Sequence, residues 1–103
     1  MRFDYDSAFS KHKVTVEIQY NKVTIETDDK RLQHKFTVVS GLVSALIRSG
    51  ANMGFIIDEI SNIPDPGGSS YKAGIKYISI YDELAKKLKG INHEHLRLSG
   101  TKQ

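Results

Sequence analysis

From Lys13 to Tyr20 apolar and polar residues alternate, with Val14, Val16, Ile18 and Tyr20 on one side and Thr15, Glu17 and Gln19 on the other. That period of two predicts a strand with one buried face. Asn21-Lys22 then supplies a two-residue turn, because Asn tolerates positive φ, and the alternation resumes with Val23, Ile25 and Thr27 against Thr24 and Glu26. The two runs read as a β-hairpin. Asp28 to His34 is charged and polar and predicts a loop, and the β-branched and aromatic run Lys35 to Val39 predicts a third strand, completing a meander.

Beyond it the period changes to that of a helix. Ser40 is placed to cap a segment in which Leu42, Val43, Leu46 and Ile47 recur, Arg48 sits at the carboxyl end, and Gly50 stops it. Asn52 offers a second cap, followed by Met53, Ile56, Ile57, Ile60 and Ile63 until Pro64 forbids continuation. Pro64 to Gly74 holds both prolines and three glycines and predicts one long loop. Ile75 to Ile78 reads as a brief extended piece, and Ser79 with Asp82 and Glu83 reads as the capped start of a third helix carrying Ile80, Leu84 and Leu88 to Gly90. Ile91 to Leu98 adds a last short strand or a tail contact. These elements predict an α+β fold, an antiparallel sheet of three to four strands packed by two to three helices. The expected boundaries are an N-terminal extension over 1–12, one domain over 13–98 and a frayed tail over 99–103.

A chain of 103 residues with 39% hydrophobic and 26% charged side chains suits one ordinary globular core. So small a core gains from burying more surface against a copy of itself, which makes a homo-oligomer the expected state. The net charge of +3 favours small anionic ligands, and Lys and Arg are scattered instead of gathered in the stripe a duplex nucleic-acid binder uses. Cysteine is absent, which excludes disulfides, thiolate metal sites and cysteine nucleophiles. Met1 to Lys13 lacks the apolar region of a signal peptide, and runs such as Phe55-Ile56-Ile57 are too short to cross a bilayer. We therefore expect a soluble, cytoplasmic protein with no membrane partner.

Candidate chemistry is sparse. His93-Glu94-His95 is the one local imidazole pair, and on a strand its spacing would put both rings on one face, as some metal sites require; as tail residues they need no ligand. His12 and His34 flank strands and read as exposed. Asp58 and Glu59 fall on the polar side of the second helix, Asp82 and Glu83 suit the first turn of the third, and Asp4 and Asp6 lie in a terminus. None is assigned acid or base work, and neither a metal nor a cofactor is expected. The loop Gly67, Gly68, Ser69, Ser70, Tyr71, Lys72 is the main candidate site. Glycine N–H groups, two hydroxyls and an ammonium make a possible phosphate cradle, with Tyr71 to stack on a base and Arg48 or Arg97 to pair with phosphate. The same residues also suit a plain connector, with Tyr71 packing it down.

The order of elements from Val14 to Lys89 resembles the TSCPD domain, the C-terminal module of adenosylcobalamin-dependent ribonucleotide reductases. The strand pair carries the likeness, with Gly41 to Gly50 reading GLVSALIRSG, the helix to Ile63, and Gly67-Gly68 ahead of Ile78-Ser79-Ile80-Tyr81-Asp82 and a final helix. Ser79 and Asp82 match the family signature, whereas its cysteine is Ile80 here and its proline is Tyr81. No metal or redox role of that cysteine carries over, and the chain is too short for a reductase barrel. In size, order of elements and lack of catalytic groups it is also similar to the phage Thoeris anti-defence sponges, which sequester cyclic ADP-ribose signals without cleaving them.

The expected function is thus non-catalytic nucleotide binding, with a small phosphorylated signal captured at a subunit junction, in the host cytoplasm if the chain is phage-encoded. The alternative is a TSCPD-like accessory that docks on ribonucleotide reductase or another protein through its helical face. A third reading is an enzyme using His93, His95 and a carboxylate.

Overall fold

The alternation of the first hairpin builds the sheet. In the computed structural model, which describes residues 1–99 and side chains through Ile91, β2 (Lys13–Gln19) and β3 (Lys22–Thr27) pair antiparallel. Val16 lies opposite Ile25 and Ile18 opposite Val23, so the apolar members share one face, and Val14, Val16, Val23 and Ile25 are all buried. Thr15, Glu17, Thr24 and Glu26 turn to the other face.

A third strand does complete this sheet, but it is not Lys35 to Val39. β1 (Arg2–Asp6) pairs with the free side of β2, placing Tyr5 opposite Val14 and Phe3 opposite Val16, for a strand order β1-β2-β3. Residues 1–12, read as an extension, therefore contribute a strand and the buried Tyr5 and Ser7 to the fold. Arg2, Asp4 and Asp6 alternate with Phe3 and Tyr5 and sit on the polar face, where Asp6 pairs with Lys13 at 2.9 Å.

Lys35 to Val39 lies instead inside α1 (Lys30–Arg48). Leu32, Phe36, Val39 and Val43 recur at helical spacing and are all buried, and this longer stripe overrides the local β preference of Phe36 to Val39. The N-cap is Asp29, not Ser40. Its carboxylate accepts the N–H groups of Arg31 and Leu32 and the Ser10 hydroxyl, at 2.8 Å for the last. α2 (Met53–Ser61) matches its sequence signals, with the Asn52 side chain accepting the Phe55 N–H at 2.8 Å and Ile56, Ile57 and Ile60 buried.

The expected long loop ends in a second hairpin. β4 (Ser70–Lys72) and β5 (Ile75–Tyr77) pair across Ala73-Gly74, both left-handed with φ of 52° and 78°. Two consecutive positive φ values are the requirement of a tight hairpin turn, and Ala is a poor sequence signal for one. α3 (Ile80–Ser99) starts as read, the Ser79 hydroxyl accepting the Asp82 N–H at 3.0 Å while the Asp82 carboxylate accepts the Ile78 N–H at 3.0 Å. It does not stop at Gly90. The backbone stays helical to Ser99, so Ile91 to Leu98 forms no strand, and the expected tail beyond Ser99 lies outside the described residues.

The fold is α+β. α1 covers the apolar face along β3, α2 packs against α3, and Phe36, Ile25, Ile56, Leu84, Val14 and Val16 meet in one core. No described helix is long and apolar enough to cross a membrane. One polar tie joins the two ends of this core. Glu83 is only 1% exposed, and its two oxygens accept the Ser7 hydroxyl at 2.7 Å and the Ala8 N–H at 2.6 Å, fastening the segment after β1 to α3. Beside it the Tyr5 phenol is held protonated, its pKa raised by burial first and then by the charge of Glu83.

Replacing Glu83 by Ala leaves the Ser7 hydroxyl and the Ala8 N–H without acceptors, and we expect a loss of about 2–3 kcal/mol in urea unfolding. The Asp29 carboxyl is held below its ordinary value, chiefly by the Ser10 hydroxyl and then by the Leu32 and Arg31 N–H groups. A depressed folded pKa gives stability that is complete above the unfolded value and lost as pH falls through the folded one. Asp29→Ala should therefore cost about 1 kcal/mol at neutral pH, a gap that narrows below about pH 4 in parallel unfolding series.

Candidate functional site

The glycine loop is occupied by its own carboxylate. Asp65 accepts the Gly67 N–H at 3.2 Å and the Lys35 ammonium at 2.7 Å, so a carboxylate of the chain itself already takes one of the loop's N–H donors. Gly68 takes a left-handed φ of 84°, which turns the chain toward β4. Ser70 donates its hydroxyl to the Ala8 carbonyl at 2.7 Å, while Tyr71 and Lys72 are exposed strand residues paired with Lys76 and Ile75. Arg48 is nowhere near them. It lies thirteen residues along α1 from Lys35, which at 1.5 Å per residue is roughly 20 Å of helix. The side chains of Arg97, His93 and His95 lie outside the described residues; the backbone carrying them is helical. Gly67, Gly68, Ser69, Ser70, Tyr71 and Lys72 thus form a braced turn and hairpin, and the structure does not bring Arg48 to it.

Arg48 belongs to a different constellation. Gln33, Thr37, Ser40, Ser44 and Arg48 recur every three or four residues and so form one polar side of α1, turned to the open edge of β3. An edge strand leaves every second residue's N–H and C=O pointing outward. Here helix side chains take them. The Ser44 hydroxyl accepts the Val23 N–H at 2.9 Å and reaches the Val23 carbonyl at 3.3 Å. The Gln33 amide accepts the Thr27 N–H at 2.8 Å and donates to the Ile25 carbonyl at 3.0 Å.

Between these two brackets lies a gap. With Val23 and Thr27 facing outward, the alternation turns the Ile25 N–H the same way, and the Ser40 hydroxyl is buried without a partner. The gap is the floor of a groove of about 460 Å³, with Lys22 and Arg48 among its lining residues and Glu26 as its carboxylate. Arg48 also borders an adjoining hollow of about 480 Å³ formed with Tyr20, Asn21 and Ile47. The Tyr20 side chain is 97% exposed, an aromatic face held in water at a hairpin turn. The arrangement joins hydrogen-bonding groups at the floor, two cations at the side and a stacking surface beyond.

Two of the carboxylates read in sequence are engaged in the scaffold. Glu83 is buried and spent on Ser7 and Ala8, and Asp82 caps α3 and pairs with Lys86 at 2.8 Å. Among the described residues no group of three or more His, Asp or Glu is placed to hold a metal ion. The groove was missed in sequence because Ser40 reads as a cap and Lys35 to Val39 as a strand. The signal that would have found it is the spacing of Gln33, Thr37, Ser40 and Ser44 beside the apolar stripe of the same helix. No family model, curated protein or solved structure matches the chain.

Two neighbouring serines separate scaffold from site. Ser44→Ala strands the Val23 N–H and C=O, and should lower the stability of the fold by about 1–3 kcal/mol in chemical denaturation. Ser40→Ala removes a hydroxyl that bonds nothing in the protein, and should change stability by less than about 0.5 kcal/mol.

Proposed function

We propose that the protein is a non-catalytic nucleotide-binding protein that captures a small phosphorylated ligand in the groove between β3 and α1. The observation that carries this reading is Arg48, which lines both the polar groove and the Tyr20 hollow. A guanidinium beside an ammonium, Lys22, pairs with phosphate through directed hydrogen bonds. A base stacks on the exposed Tyr20 ring, and the ribose hydroxyls meet the exposed Thr37 hydroxyl of the groove lining.

The groove joins one carboxylate to serine and threonine hydroxyls, and its lining includes no imidazole to activate them. Such a site holds a nucleotide without cleaving it, which is the chemistry of sequestration. A cyclic ADP-ribose isomer is the first ligand to test, since it combines a pyrophosphate, ribose hydroxyls and adenine in one compact ring.

The test is a thermal-shift screen of nucleotides with mass spectrometry of each mixture. A ligand at 100 times its Kd should stabilise the fold by about 2.7 kcal/mol and be recovered intact. Arg48→Ala and Tyr20→Ala should each weaken binding by about 1–3 kcal/mol, and Tyr71→Ala and Lys72→Ala should leave it unchanged. The reverse pattern would return the site to the glycine loop. Turnover of the nucleotide, or no shift with any of them, would overturn the reading.

A further inference from the structure

The side of α1 away from β3 carries an apolar hollow that the chain leaves open. It measures about 520 Å³, lies between α1 and α2, and is walled by Leu42, Leu46, Phe55, Ile60 and Ile63, with Glu59 as its acidic member. Two of its walls also protrude. Leu42 is 58% exposed and Phe55 50%, and Val38 stands exposed one turn before Leu42. Knob and hole therefore lie in one patch. A two-fold axis through such a patch sets each copy's knobs into the other's hole in a single operation.

Charge names the occupant. With Lys35 held by Asp65 and Arg48 turned to the β3 groove, α1 still contains the exposed Arg31 and His34 and no Asp or Glu, whereas α2 contains Asp58 and Glu59 and no Lys or Arg. Laying α1 of one copy on α2 of another sets basic against acidic twice, while α1 on α1 or α2 on α2 would oppose like charges. The patch is complementary to itself in shape and in sign. We propose that the protein is a two-fold homodimer in which α1 and α2 of one copy pack on α2 and α1 of the other, with Leu42 and Phe55 as the buried anchors. Leu42 lies on the opposite side of α1 from Ser40 and Ser44, so the dimer leaves the β3 groove open and does not depend on the nucleotide reading.

The test is sedimentation equilibrium of the full chain across the micromolar range. Wild type should sediment at twice the chain mass, with a dimer Kd that rises with salt. Leu42→Asp should raise that Kd by about 100-fold or more while circular dichroism and the nucleotide shift stay unchanged, because the side chain is largely solvent-exposed in the single chain. Phe55→Ser, on the other helix, should do the same, and Glu59→Lys should weaken the dimer and reduce its salt dependence. A wild type that stays monomeric throughout, including one that binds a different protein through this face, would overturn the proposal. So would a dimer whose Kd neither Leu42→Asp nor Phe55→Ser changes.

Discussion

Everything in this fold leans on α1 lying along β3. The sheet has one apolar face and only three strands, and such a sheet is stable only when another element covers that face. α1 does this with Leu32, Phe36, Val39 and Val43, and Phe36, fully enclosed, meets the strand residues Val16 and Ile25 in the same core. The helix performs a second task with its polar side. Ser44 and Gln33 hydrogen-bond the Val23 N–H and C=O, the Ile25 C=O and the Thr27 N–H, which blocks much of the β3 edge from pairing with another chain.

Because one helix meets the sheet on two sides, its remaining surfaces become the places where function can sit. Where the Gln33 and Ser44 brackets stop short of each other, the Ser40 hydroxyl is left buried and unpartnered, and Lys22, Arg48 and Tyr20 gather at the same end. On the far side Leu42 and Val38 face outward beside Phe55. α1 thus separates a polar groove from an apolar patch, and the nucleotide and dimer proposals draw on different faces of it.

The rest of the molecule serves to hold that helix still. Asp29 caps its start and is itself held by Ser10, while Lys35 is fixed to Asp65 in the turn ahead of β4. Glu83 ties the segment after β1 to α3, and the Lys87 ammonium lies 5.8 Å from the ring centroids of both Tyr5 and Tyr77, linking sheet, second hairpin and α3. The loop that looked most like a phosphate cradle is part of this bracing. Its carboxylate, Asp65, joins Lys35 of α1 to the Gly67 N–H.

The sequence by itself determined the elements whose signals are local. The period of two in Val14 to Ile18 and Val23 to Thr27, the Asn52 and Ser79 caps and the stop at Pro64 each rest on chemistry within a few residues, and β2, β3, α2 and the start of α3 follow from them. The turn between the strands falls at Tyr20-Asn21, one residue before the Asn21-Lys22 expected. Tertiary structure decided the remainder, because there the deciding contacts are distant in the chain. Lys35 to Val39 has β-forming residues and becomes helix because Phe36 and Val39 are buried against the sheet; Arg2 to Asp6 becomes a strand because β2 offers it an edge. The candidate site falls in this second class. Lys22 and Arg48 are far apart in sequence and share a groove only once α1 lies on β3, and the glycine loop has its Gly67 N–H taken by the Asp65 carboxylate.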